Sequence, residues 1–151
     1  MKDTADTTIL LVDDEENILK AYTRILHSAG YKVLTANSVQ AAREVLAVEN
    51  LDLVITDVRM PEEDGMSLLD FISYFYPRVG VIMITGNPGM RTDIQAYLGG
   101  AIDFLLKPVD KEDLLDSVRR CTSMEIDEGD DSNESIDKIL ETLKELKSAD
   151  E

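Results

Sequence analysis

Four acidic residues in a row, Asp13, Asp14, Glu15 and Glu16, close the apolar run TILLV. Charges this close repel one another unless solvent, a helix N-terminus or a cation relieves them. Three other apolar runs end in residues able to do chemistry. LDLVIT ends at Asp57, GVIMIT ends at Thr85, and AIDFLL is followed by Lys107. Should these runs be parallel strands, three carboxylates, a hydroxyl and an amine gather from four segments at one edge of a sheet. Carboxylates with no His or Cys among them suit a hard cation, and Mg2+ fits a site that keeps waters and awaits a phosphate oxygen. Lys107 suits a compact phosphate or carboxylate partner, and Thr85 can donate a hydrogen bond to an anionic oxygen. Asp13, Asp14 and Asp57 are therefore expected to hold the metal. Glu15 and Glu16 are expected in the first turn of the next helix, where negative charge is favoured.

Positioning these residues requires a particular frame. The runs TILLV, KVLTA, LDLVIT, GVIMIT and AIDFLL are rich in Val, Ile and Leu, as strands covered on both faces are. Amphipathic segments alternate with them. The first carries Ile18, Leu19, Tyr22, Ile25 and Leu26, with Gly30 placed to end it. The second opens at Ser38, a good N-cap, and carries Val39, Ala42, Val45 and Leu46. The third follows Gly65 with Leu68, Leu69, Ile72 and Phe75, ending before Pro77. A weaker fourth carries Met90, Ile94, Tyr97 and Leu98 and stops at Gly99-Gly100; the fifth starts near Asp110 and carries Leu114, Leu115 and Val118. Strict alternation predicts an α/β fold: a doubly wound, five-stranded parallel sheet with helices on both faces. Sites in such sheets form at the carboxyl ends of the strands, where strand order reverses.

The totals exclude several classes. A formal charge of -16 argues against direct nucleic-acid binding and against an anionic membrane surface. One cysteine, Cys121, excludes an intrachain disulfide, and one histidine, His27, excludes a His-rich metal site; both read as ordinary helix residues. The opening MKDTADT lacks the apolar centre of a signal peptide, and no stretch approaches the roughly 20 apolar residues of a membrane span. The expected location is cytoplasmic.

Together these pieces resemble a response-regulator receiver domain of bacterial two-component signalling. The likeness rests on Asp13-Asp14 after a first strand, the loop DVRMPEEDG from Asp57 to Gly65, Thr85-Gly86, and Lys107-Pro108 after a fifth strand. It covers residues from about 7 to 121, and the spacing from Asp57 through Met60-Pro61 to Gly65 makes it specific. The resemblance implies a flavodoxin-like sheet of receiver type. It implies that Asp57 accepts a phosphoryl group from a histidine kinase or histidine phosphotransfer protein. It also implies that Asp13, Asp14, Asp57 and the Arg59 backbone carbonyl hold Mg2+, and that Lys107 pairs with Asp57 and then with the phosphoryl group. Thr85 and Phe104 take the switch positions, and Lys107-Pro108 matches the family's cis peptide. Phe104 also has a plain reading as core. Arg59 and Asn87 border the site, where the family tunes the lifetime of the phosphoryl group, and the loop from 86 to 90 is an ordinary connection that also suits a switch.

Composition divides the chain into a receiver domain (1–122), an acidic linker (123–134) and an amphipathic C-terminal helix or tail (135–151). The stretch EIDEGDDSNES has one apolar residue and six carboxylates. After it, Ser135 can cap a helix with an Ile136, Ile139, Leu140, Leu143 and Leu146 stripe. Residues 123–151 hold three Lys against eleven Asp and Glu, a poor match for DNA. The stripe is too short to stand alone as a helix, so it is expected to fold back, to meet a second copy or a partner protein, or to fray. The chain reads as a phosphoacceptor rather than an enzyme, either standing alone or cut from a larger regulator. The rival is a Mg2+-dependent aspartyl-phosphate phosphatase, but that class carries D-x-D on its nucleophile strand, and here Arg59 takes the second Asp's place.

Overall fold

The computed structural model describes residues 3–86 and 101–123. A 3-10 turn, Thr4–Asp6, leads into β1 (Thr8–Val12). Then follow α1 (Glu16–Ser28), β2 (Lys32–Ala36), α2 (Val39–Val48), β3 (Leu53–Asp57), α3 (Gly65–Phe75), β4 (Gly80–Thr85), β5 (Ala101–Leu106) and α4 (Lys111–Ser123). Every apolar run is a strand. The fifth amphipathic segment is α4; the fourth, Met90 to Leu98, the loop beyond Gly86 and the linker and tail lie outside the described residues.

The strand order is β2-β1-β3-β4-β5, and every pairing is parallel. The chain winds outward from β1 to β2, then crosses back to β3, so the reversal falls between β1 and β3. Register levels the strand ends. Val12 pairs with Thr56, so Asp13 stands beside Asp57; Thr85 pairs with Leu106, so Lys107 follows one step beyond.

Alternation along each strand feeds two cores. Ile9, Leu11, Ile55, Ile82 and Ile84 pack with Leu26 of α1 and Leu114 and Val118 of α4. Leu10, Val12, Val54, Val81 and Met83 pack on the other face with Ala42 and Leu46 of α2 and Leu68 and Ile72 of α3. Both faces of the central strands are thus dry, which is why their sequences read as unbroken apolar runs. Truncating a fully buried leucine such as Leu26 or Leu68 to alanine removes about 2–5 kcal/mol.

Local chemistry ends the helices as their sequences suggest. Gly30 has φ +99°, and Tyr31 N–H donates to Leu26 O at 3.1 Å while Gly30 N–H donates to His27 O at 3.0 Å. That left-handed stop closes α1. Ser38 Oγ accepts from Ala41 N–H (3.0 Å), Asp64 Oδ1 from Ser67 N–H (3.0 Å) and Asp110 Oδ1 from Asp113 N–H (2.8 Å). One expectation is corrected. Glu15 is not in the first turn of α1 but at its extended N-cap, with φ -94° and ψ 113°, and only Glu16 is helical there. The cause is Asp13, whose Oδ1 accepts the Glu15 N–H at 2.9 Å and holds the chain out of the helix for one more residue. His27 is exposed in the last turn of α1, and Cys121 is buried in α4. Among the described residues no helix is long and apolar enough to cross a membrane.

Candidate functional site

Asp13 leaves β1 with 4% of its surface exposed, Asp57 ends β3 with 7%, and Asp14 beside them is open to solvent. One carboxylate oxygen from each lies within 4.8 Å of the others. Just past β5, Lys107 Nζ bridges the two buried acids, 3.1 Å from Asp13 Oδ2 and 2.9 Å from Asp57 Oδ2. Its own backbone is fixed by a 2.7 Å hydrogen bond from Lys107 N–H to Thr85 O, and the Lys107-Pro108 peptide is cis. Asp57 Oδ1 accepts from Arg59 N–H at 3.3 Å.

Charge is left over in this arrangement. Three carboxylates face one ammonium, leaving two negative charges that one divalent cation cancels. Burial pushes the Asp13 carboxyl above its ordinary range; the Glu15 N–H and Lys107 offset part of that, and Asp57 adds to it. Burial alone would lower the proton affinity of Lys107, but its hydrogen bonds to Asp57 and Asp13 outweigh burial and keep it firmly cationic. The donor set is all oxygen, half-open to solvent through Asp14, and holds no His or Cys, which fits Mg2+ with its retained waters.

The loop after Asp57 is pressed against the strand end. Gly65 N–H donates to Val58 O at 2.7 Å, and a Cβ on Gly65 would overlap the Asp57 carbonyl oxygen, so no larger residue fits. Glu62 is left-handed, φ +71°, a conformation that costs a non-glycine residue about 1 kcal/mol.

Of the residues singled out from the sequence, Asp13, Asp14, Asp57, Arg59, Thr85 and Lys107 stand at this edge, Phe104 lies two positions back from the end of β5, and Asn87 lies outside the described residues. Thr85 is 1% exposed at the end of β4. Phe104 pairs in register with Met83 and is half-buried against the α2–α3 face, neither deep core nor fully open. Sequence reasoning passed over Tyr22, which lines the floor of the site with Leu19, Ile55 and Ile84, because it reads as one more residue of an apolar stripe. It also passed over Arg43, which reaches from α2 to Glu63 in the loop. The available signal was an arginine bordering the apolar face set by Val39, Ala42 and Leu46.

Known proteins share this arrangement. The family described as "Response regulator receiver domain" matches residues 9–119. The response regulator protein PilR of Pseudomonas aeruginosa is 42% identical over 101 residues, 67% of this chain and 23% of PilR. The transcriptional regulatory protein GlrR of Escherichia coli is 41% identical over 110 residues, 73% of this chain and 25% of GlrR. The chain therefore spans about a quarter of the length of these curated relatives. Among solved structures, a CheY-like receiver domain from Methanospirillum hungatei superposes with TM-score 0.76 at 28% identity, over 82% of this chain and 98% of that one. The response regulator TrrA of Thermotoga maritima, solved with Mg2+ and BeF, gives 0.71 at 28% identity, over 76% and 98%. The acidic triad is thus of the kind that binds Mg2+ in receivers, which are phosphorylated by histidine kinases and are phosphoacceptors rather than conventional enzymes. Residues 9–119, carrying that triad and Lys107, belong to the response regulator receiver family, and the chain works in phosphorylation-activated signalling.

Proposed function

We propose that Asp57 is the phosphoacceptor, that Asp13, Asp14, Asp57 and the Arg59 carbonyl hold Mg2+, and that Lys107, Thr85 and Phe104 couple the phosphoryl group to a switch. The observation that carries this reading is the Lys107 ammonium, 2.9 Å from Asp57 and 3.1 Å from Asp13, with the three carboxylates converging beside it. Asp57 ends the central strand β3, which pairs with β1 on one side and β4 on the other. An Asp57 oxygen attacks the phosphorus, and the donor's bond to phosphorus breaks as its leaving group takes the bonding pair. Phosphoryl transfer of this kind needs in-line positioning and charge neutralisation more than covalent work by the protein. Mg2+ held by Asp13, Asp14 and Asp57 would supply part of that charge neutralisation. Lys107, already cationic at this spot, exchanges its Asp57 partner for a phosphoryl oxygen without gaining or losing a proton. Thr85 then donates its hydroxyl to another oxygen, and Phe104, half-buried beforehand, buries further.

The donor is a histidine kinase or a histidine phosphotransfer protein. The signal leaves through the side that carries β5 and α4, to which the family resemblance alone adds the fourth amphipathic segment, or through the tail, toward a second copy or a partner protein. Direct contact with nucleic acid or membrane finds no support in a charge of -16, and a cytoplasmic site of action suits this chemistry. The division into receiver (1–122), linker (123–134) and amphipathic tail (135–151) follows composition. PilR and GlrR, each about four times longer than the matched region, favour a receiver that belongs to a larger regulator.

Intact-mass spectrometry after incubation with acetyl phosphate tests the reading. Uptake of one phosphoryl group should require Mg2+ and vanish in Asp57→Asn. Equal uptake by that variant contradicts it.

A further inference from the structure

Arg43 of α2 makes a two-pronged contact with the β3–α3 loop. Its Nη1 and Nη2 donate to Glu63 Oε1 and Oε2, both at 2.9 Å, and Nη2 also donates to Ser67 Oγ at 3.1 Å. Ser67 Oγ donates in turn to Glu63 Oε2 at 2.8 Å, and the guanidinium lies 5.1 Å from the centre of the Phe71 ring. The planar fork matches a carboxylate in a way a lysine cannot. Hydrogen bonds from Ser67 and Arg43 hold the Glu63 carboxyl below the usual range.

What the fork holds is the arch between Asp57 and α3. The foot of the arch is tied at Val58 and Gly65. Its crown carries exposed Arg59, Pro61 and Glu62, with Glu62 left-handed, and only Val58 and half-buried Met60 bring apolar burial. A loop with so little packing needs a tether to keep one shape, and the side chain next to the left-handed residue is the one Arg43 grips. The same loop carries the Arg59 backbone alongside Asp57.

We infer that Arg43 is a positioning residue: through Glu63 it holds the β3–α3 arch in the shape that presents the Arg59 backbone to the cation, so the seat of α2 sets Mg2+ affinity. This rests on the assignment of Asp13, Asp14, Asp57 and the Arg59 carbonyl as the Mg2+ site. Simple charge makes the opposite prediction, since removing a nearby cation should strengthen Mg2+ binding.

The test is a Mg2+ titration of the full chain without phosphodonor, followed by the backbone amide NMR shifts of Asp14 and Arg59. Wild type should saturate, and Arg43→Ala should bind roughly fivefold more weakly, less than the 10–100-fold typical of groups bonded directly to metal ligands. Glu63→Ala should weaken binding similarly, and the double variant no further than either single one. Arg43→Lys keeps the charge and stem but loses the fork; it should also bind more weakly, and it carries the test if Arg43→Ala does not fold. Variants that bind as tightly as wild type, or more tightly, overturn the inference and leave the metal site standing. A wild type that shows no saturable shift overturns the metal site, and this inference with it.

Discussion

Asp52 and Asp57 flank the same strand, and both are buried, 9% and 7% exposed. They are nonetheless different objects. Asp52, at the amino end of β3, accepts the Thr8 N–H at 2.8 Å, and its carbonyl accepts the Gly80 N–H at 3.1 Å. It stitches three strand starts together. Asp57, at the carboxyl end, has two other acids within 4.8 Å and a lysine at 2.9 Å. Burial alone therefore does not mark a reactive carboxylate. Its company does: like charges and an ammonium around Asp57 leave a carboxylate that a cation and a phosphoryl group can still satisfy, whereas Asp52 is held by the backbone of a neighbouring strand.

The largest expected effect follows from exchanging the two. Asp57→Asn should abolish labelling by acetyl phosphate and leave the fold intact, because it removes one of three repelling charges. Asp52→Ala should leave labelling within about twofold while lowering stability by about 1–3 kcal/mol, the penalty for an orphaned buried N–H; thermal melting and intact mass check both. Labelling lost in both variants would mean that the two ends of β3 are not separable.

Lys107→Met should come next, slowing labelling by roughly a hundredfold through loss of the cation that bridges Asp13 and Asp57. In the wild type, Lys107 gains two carboxylate partners on folding, so its proton affinity rises above the ordinary 10.5. The stabilisation it gives is complete below that ordinary value and is lost as pH rises through the folded value. The labelling rate should accordingly show no lysine titration between about pH 6 and pH 9. Gly65→Ala should cost about 1–3 kcal/mol by forcing the loop off the Asp57 carbonyl, and should slow labelling by less than Lys107→Met. The smallest effect concerns Cys121, buried in α4, where burial pushes its thiol up from 9.0 to about 12. The folded state keeps a proton that the unfolded chain releases, so stability should fall as pH rises from about 9 toward 12. Thiol reagents near neutral pH should label Cys121 only as the chain unfolds.

Much of this was legible in the residues. Val/Ile/Leu runs without polar alternation required helices on both faces, and the reactive residues stood one step past the ends of those runs. Ser38 and Gly30 announced helix ends by chemistry that operates within a few residues. What stayed hidden depended on distance or on competition. Arg43 and Glu63 are 20 residues apart, and nothing local says that a loop glutamate meets a helix arginine. Glu15 was expected in α1, but it stands at the extended N-cap, its N–H held by Asp13 Oδ1 two residues back. Asp52 and Asp57 look alike in LDLVITD; only the parallel register puts one beside amides and the other beside acids.

The central claim is that Asp57 takes the phosphoryl group. After labelling with acetyl phosphate and Mg2+, borohydride reduction turns an aspartyl phosphate into homoserine, and tandem mass spectrometry then reads its position. Homoserine at residue 57 is the predicted result. Homoserine at Asp13, Asp14 or any other aspartate, with residue 57 unchanged, would contradict the account.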